Sequence, residues 1–354
     1  MRPSPAVQLG RWAKDCTTLG VGGPIRWWWP VTTAGEVRRG LAFAQAQGVP
    51  WWVLGGGSNV IVADSGLSGV VLHPAPPVKS IVIAGESGEG VRLHVAAGVQ
   101  WDDLVAWSIA QGLQGLECLS GIPGQVGAAP IQNIGAYGQE FADVATWVQA
   151  YHVASGRVVR VDRTACAFRY RDSRFKAESA AWVVLRVGLQ LRRGAPPCLA
   201  YPQVRQELAQ TPAPSLNEVR QAVLTLRRHK SMVIDEGDPN SKSCGSFFVN
   251  PIVAVARAHS AVAKLALGDE KPPLWPTGDG LAKLSAAWLI ERSGLHKGQG
   301  QGPVGLSAKH TLALINRGGA TAADVLQFAT LVQQTVLSRC GIELEREPVL
   351  LGQA

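Results

Sequence analysis

Charge is scarce in this 354-residue chain, at 17% of residues against 46% hydrophobic. That balance excludes a disordered polymer and leaves ample material for packed cores. No apolar run reaches the length that spans a bilayer, which excludes membrane insertion by a helix. The opening stretch MRPSPAVQLGRWAKDC holds no hydrophobic signal region. Six cysteines, at 16, 118, 166, 198, 244 and 340, include no C-x-x-C pair. They read as reduced thiols of a cytoplasmic protein. Seven histidines form neither H-E-x-x-H nor any clustered set, so no metal site is expected. The net charge of +8 comes without a long basic run or a nucleic-acid motif. No nucleic-acid partner is therefore expected, and an anionic small substrate explains the positive charge equally well. Nothing points to an obligate protein partner.

What the chain does have is glycine in two informative clusters. Residues 119–140 read LSGIPGQVGAAPIQNIGAYGQE, with five glycines and two prolines among small apolar residues. Bulky side chains look too few there to build a core, and glycine and proline break regular structure. Such a backbone makes sense if it lies close to something large and polar. Gly124, Gly127, Gly135 and Gly138 would remove obstructing Cβ atoms, while Gln132 and Asn133 would offer polar groups in the gap. The second cluster follows the strand-like run WWVL and reads Gly55, Gly56, Gly57, Ser58, Asn59. Strand, glycines and Ser/Asn can present successive backbone N–H groups to phosphate oxygens. A strand-like run, Val60 to Val62, follows instead of a helix, so this is not a dinucleotide fingerprint. A formal G-x-G-x-x-G at Gly300, Gly302 and Gly305 also fails that context test and reads as a glycine-rich linker.

The organisation reads as α+β. Thr33 and Glu36 form a capping-box pattern ahead of Val37, Leu41 and Ala44 at helical spacing. Trp27, Trp28 and Trp29 read as a strand packed on that helix. Val91, Leu93 and Val95 alternate with polar residues, as do the later runs 156–161 and 185–191, all as strands. Trp101, Leu104, Val105 and Ser108 predict a helix ending near Gly112. Residues 1–195 are thus one α+β domain with two subdomains, split near 73. RRGAPP at 192–197 is a turn or linker. Residues 196–354 form a second, α/β domain, with a capping box at Ser215 and Glu218, a strand in LALIN, and a helix from Thr321 to just before Gly341.

Three places could carry chemistry. Residues 170–176, YRDSRFK, suit either an exposed amphipathic segment or an anion site in which Asp172 steadies the Arg171 fork. Residues 227–230, RRHK, end a helix, where cations are also ordinary complements of the dipole. Ser246, in CGSFF, is either a buried turn hydroxyl or a positioned proton donor, since no nucleophile elbow surrounds it. Glu343, Glu345 and Glu347 would share one face of a strand, by default a solvated face, and their pattern alone assigns no catalytic carboxylate.

Together LGGGSN (54–59), GIPGQVGAAPIQNIGAYGQE (121–140), YRDSRFK (170–176), GSFFVNP (245–251) and GIELEREPV (341–349) resemble, in order, the signatures of the UDP-N-acetylenolpyruvoylglucosamine reductase (MurB) family. LAYPQV around Tyr201 is similar to the substrate-closing loop of its type I branch. The resemblance implies an FAD-binding domain of the vanillyl-alcohol-oxidase (PCMH-type) fold plus a C-terminal α/β substrate domain. It implies that FAD and NADPH reduce UDP-N-acetylglucosamine enolpyruvate to UDP-N-acetylmuramate in peptidoglycan precursor synthesis. By the same resemblance FAD is held by Gly55, Gly56, Gly57, Ser58 and Asn59 with Ile122, Pro123, Gly124, Gly127, Gln132, Asn133, Gly135, Ala136 and Tyr137. Tyr170, Tyr201, Arg227, Lys230 and Asn250 contact substrate. Arg171, Ser246 and Glu347 are catalytic, Ser246 as proton donor and Glu347 as an acid whose pKa burial raises. Glu345 is the neighbouring alternative to Glu347. The sequence departs from the family at Val249, where lysine is usual, at Arg346 and Pro348 around Glu347, and at Thr17 in place of an asparagine. An oxidase of the same flavin superfamily and a non-catalytic nucleotide-binding protein are the alternatives.

Overall fold

A computed structural model describes residues 7–266 and 272–352. The chain divides into two compact units. One gathers the chain up to Arg11 with Ile25–Gly56 and Ser68–Val233; the other takes Trp12–Pro24, Gly57–Leu67 and the chain from Ile234. Residues 196–233, expected with the C-terminal domain, therefore pack with the first unit, and two early segments belong to the second. The boundary expected at 195 is not a boundary of compactness.

In the first unit, strand Pro24–Val31 carries the three tryptophans. Strand geometry sends alternate side chains to opposite faces. Trp27 and Trp29 accordingly both meet Phe43 of helix Ala34–Ala46, with ring centroids 5.4 Å apart in each case. Trp28 faces the other way and stacks on His73 at 4.5 Å. Thr33 and Glu36 form the expected capping box. Strand Trp51–Val53 pairs in parallel with Leu67–Pro74. A larger antiparallel sheet runs in the order Arg157–Asp162, Ala145–His152, Trp182–Arg193, Gly90–Ala96, Ile81–Ser87. Val91, Leu93, Val95, Leu189 and Leu191 are fully buried in its core with Trp101, Leu104 and Val105 of helix Trp101–Ala110. Helix Leu216–His229 starts at the Ser215–Glu218 capping box and buries Val219 and Val223 against Cys118 and Val204.

The second unit is built on helix Ala322–Cys340. Its apolar stripe, Val325, Phe328, Val332 and Val336, repeats at helical spacing and is buried. Thr321 caps its start and Gly341, in the left-handed region, ends it. Both Asp64 oxygens accept from the first-turn amides of Ala322 and Ala323, at 2.7 and 3.0 Å. Strand Val60–Val62 pairs in parallel with Val349–Leu351. The G-x-G-x-x-G is not a linker: Gly300–Gln301 and Val304–Leu306 are antiparallel strands joined through Gly302 and Pro303, and Leu314–Asn316 continues the sheet. A two-residue turn between short strands uses the same glycine and proline as a linker, so the short strands escape the sequence pattern.

Candidate active site

In the first unit, segment 119–140 is knitted to segment 169–173 by side chains. Asn133, 1% exposed and at φ +44°, donates from Nδ2 to the Arg169 carbonyl (3.1 Å) and accepts the Ala142 amide at 2.9 Å. Ser173 Oγ donates to the Ile131 carbonyl at 2.7 Å. Arg169 and Asp172 exchange backbone bonds of 3.0 and 3.2 Å, which puts Tyr170 and Arg171 at the tip of a tight turn. Arg171 has φ +54°, its guanidinium donates to the Gly135 carbonyl at 2.8 Å, and it lies 5.4 Å from the Tyr170 ring. The Gly135 carbonyl thus supports the Arg171 guanidinium. The segment also contributes to the core, contrary to the reading of a coreless loop: Val126 and Ala129 are buried, and Ile122, Ile131 and Ile134 pack against the same cluster. A Cβ on Gly127 would sit 2.6 Å from Ala97 Cβ, so that glycine serves packing.

The start of the loop is tied down by Asp102. Its Oδ1 accepts the Gly121 amide and Arg220 Nη1, both at 2.6 Å, while Oδ2 accepts Arg220 Nη2 at 2.8 Å. Burial raises the Asp102 pKa, but the Arg220 and Gly121 hydrogen bonds outweigh it and hold the acid below its ordinary value. Arg227, on the same helix as Arg220, gives Nη2 to the Met232 carbonyl at 2.6 Å, and its Nε is buried with no partner. Burial pulls its pKa down, against the attraction of Tyr137 and Asp102. At the end of this helix Lys230 Nζ donates to Gln203 Oε1 at 3.2 Å and lies 5.9 Å from the Tyr137 ring. Tyr137 and Tyr201 meet edge to face, centroids 5.3 Å apart.

In the second unit, the segment carrying Ser246 forms a ladder with the one carrying Glu347. The Glu347 amide donates to the Phe247 carbonyl and Val249 to Glu345, both at 3.0 Å, while Phe247 donates to Leu312 at 2.8 Å. Phe247 and Phe248 are fully buried, each worth about 1.5–3 kcal/mol, and fix the segment's depth. Ser246 and Glu347 are half-buried, whereas Glu343 and Glu345 are exposed. The three glutamates therefore do not share one strand face; residues 341–347 are irregular apart from a single bridge, Phe248 to Arg346. Burial, with a further push from the Glu347 carboxylate, takes the Cys244 thiol up to about 12. Asn59 donates to the Glu347 carbonyl at 3.3 Å and accepts the Val349 amide at 3.1 Å. Asn250 Oδ1 accepts the Ala286 amide at 2.9 Å. Thr18, unremarked in the sequence, donates to the Ser243 carbonyl at 2.7 Å, and Ser243 Oγ accepts the Gly245 amide at 3.1 Å.

Comparison with known proteins places the chain in a family. The family pattern of the UDP-N-acetylenolpyruvoylglucosamine reductase C-terminal domain matches residues 238–351, and that of an FAD binding domain matches 30–162. A reductase of that name from Thermobifida fusca is 45% identical over 347 residues, covering 96% of both chains. One from Streptomyces avermitilis is 42% identical, covering 95% of this chain and 92% of that one. The chain belongs to the UDP-N-acetylenolpyruvoylglucosamine reductase family. The crystal structure of MurB from Thermus caldophilus aligns with a TM-score of 0.68 at 28% identity, over 98% of this chain and all of that one. The fold is that of the family: an FAD-binding domain and the reductase C-terminal domain.

The residues present fit FAD. A Cβ on Gly56 would lie 2.7 Å from Gly124 Cα, and one on Gly55 would lie 3.0 Å from Gln125 Oε1, so the two glycine loops meet at their backbones. Gln125 Oε1 is buried there without a donor, and the adenine amino and ring imide groups of FAD are donors of the kind it lacks. Of the expected reductase residues, Gly55 and Gly56 fall in the first unit and Gly57, Ser58 and Asn59 in the second. Asp102, Arg220, Thr18 and Ser243 support the site and were missed, because each acts across more than 90 positions of sequence or through a neighbour's backbone.

Proposed function

We propose that this chain is a cytoplasmic reductase that uses NADPH and FAD to convert UDP-N-acetylglucosamine enolpyruvate to UDP-N-acetylmuramate, a peptidoglycan precursor needed for cell shape and division. Bound FAD supplies hydride received from NADPH. Gly55 to Asn59 and the 121–137 loop hold it, and Asn133 also stiffens that loop. Hydride arriving at the terminal enol carbon pushes negative charge onto the substrate carboxylate. Arg171, oriented beforehand by the Gly135 carbonyl, stabilises that charge as a preorganised cation. The Ser246 hydroxyl gives its proton to the adjacent carbon, and Glu347 assists as a hydrogen-donating acid. Arg227 and Lys230 neutralise the diphosphate; the unspent Arg227 Nε suits an anion. Tyr170, Tyr201 and Asn250 complete the substrate contacts.

The observation that carries this reading is the backbone pairing that lays the segment of Ser246 beside that of Glu347, with Glu347 half-buried and Glu345 exposed. The test is an anaerobic absorption spectrum, first with NADPH and then with the enolpyruvate nucleotide sugar. Bleaching followed by recovery is expected. Bleaching without recovery would leave a flavin reductase with another acceptor.

A further inference from the structure

Glu117 is a carboxylate with no exposure to solvent, in the apolar run Leu116-Glu117-Cys118-Leu119. Among the described residues it has no ion-pair partner. Three neutral donors meet it instead: the Gly115 amide to Oε2 at 2.8 Å, the Cys198 amide to Oε1 at 2.8 Å, and Gln139 Nε2 to Oε1 at 3.1 Å. Gln139 in turn accepts the Cys118 amide at 2.8 Å. A buried charge without a counter-ion is costly, and an apolar side chain would fill a purely structural position more cheaply. The carboxylate is required where three donors arrive from three directions, since a glutamine offers one acceptor oxygen and turns its own N–H groups toward the rest.

The three directions identify what is being held. They are the stretch after helix Trp101–Ala110, the hairpin Gly135–Ala136 and Gln139–Glu140, and the arm that begins at Cys198. Tyr137 precedes Gln139 by two residues and Tyr201 follows Cys198 by three, and these are the rings that meet edge to face. Tyr137 sits in the left-handed region at φ +49°, a conformation that needs outside support in a residue other than glycine. Behind it, a Cβ on Gly138 would lie 3.1 Å from Ala200 Cβ, so hairpin and arm touch directly. We infer that Glu117 is the positioning residue that sets the Tyr137–Tyr201 pair and so presents the Tyr201 arm for closure over the nucleotide sugar. This rests on the reading that Tyr201 covers substrate.

The experiment is a double-mutant cycle on the FAD-loaded enzyme. Sugar binding is read from the perturbation of flavin absorbance, and flavin reduction by NADPH is read separately. Glu117→Gln should weaken sugar binding about tenfold, and should add little to the loss in a Tyr201→Ala background, because coupled residues are non-additive. Reduction by NADPH should stay within about twofold of the parent, as expected for a residue that acts only through the arm. The Cys198 thiol, half-buried in the parent, should react faster with a thiol reagent in Glu117→Gln, with Cys198→Ser as the blank. Unchanged sugar binding, additive losses with Tyr201→Ala, or equal loss of both half-reactions would each overturn the assignment. If Glu117→Gln does not fold, Gln139→Leu removes one donor and faces the same criteria. A parent enzyme that binds no sugar would refute the functional reading instead, and the thiol reaction would still decide whether Glu117 holds the arm.

Discussion

The two units hold their functional residues by opposite means. In the first, irregular loops are fixed by polar side chains reaching backbone groups: the buried Asn133, Ser173 and Glu117 and the half-buried Asp102 each satisfy amides or carbonyls of another segment. In the second, Ser246 and Glu347 ride on segments joined by backbone bonds and anchored by the buried Phe247 and Phe248. The contrast teaches where chemistry and stability can be separated. A side chain displayed on a ladder can be changed without loosening it. A side chain that is itself the fastening cannot.

Ser246→Ala should give the largest effect and separate the two properties most cleanly. Loss of a positioned general acid costs about 10²–10⁴ in the rate of flavin reoxidation by substrate. Reduction by NADPH and the melting temperature should hold; a fall in either would mean that the hydroxyl supports the segment after all. Asn133→Ala should show the converse, mainly a stability loss. It strands the Arg169 carbonyl and the Ala142 amide at a positive φ, for about 2–4 kcal/mol by denaturant unfolding and weaker retention of FAD. A stable, FAD-replete Asn133→Ala would break the comparison. Asp102 gives a smaller, pH-dependent signal. Because its folded pKa lies below the ordinary 3.8, its stabilisation is complete above that value and disappears as pH falls through the folded pKa. Asp102→Asn should therefore lose stability at neutral pH and show a flatter acid limb in the same range. Glu345→Ala should do least, leaving activity within about twofold and stability within about 0.5 kcal/mol. A large loss of activity would transfer the catalytic assignment from Glu347 to Glu345.

Local patterns were legible from sequence where the physics is local. The boxes at Thr33–Glu36 and Ser215–Glu218 form as read, because both partners lie three residues apart. The alternation of Val91, Leu93 and Val95 reports a sheet face directly. The glycine pattern at 300–305 reads as a linker and is a hairpin, because glycine and proline mark a tight turn and a linker alike. The division at 195 misled because RRGAPP is a turn within one unit, and turn chemistry carries no information about which core the chain returns to. The motifs singled out Arg171, Ser246 and Glu347 as candidates, but no pattern marked the residues that hold the segments carrying them. Asp102 and Arg220 stand 118 positions apart, and Glu117 and Cys198 stand 81 apart; no periodicity links such pairs. The one visible signal was the acid itself, Glu117, in an otherwise apolar run.

The parallel pairing of Val60–Val62 with Val349–Leu351 has a consequence for biogenesis. The early strand leaves the ribosome about 290 residues before its partner, a wait of roughly 15–60 s at ordinary rates of synthesis. Throughout that time Ile61 and Val62, both fully buried at the end, lack the strand that covers their edge. The second unit is thus completed only after Val349–Leu351 has emerged, and nascent-chain factors that mask short apolar strands should bind this protein early and leave it late.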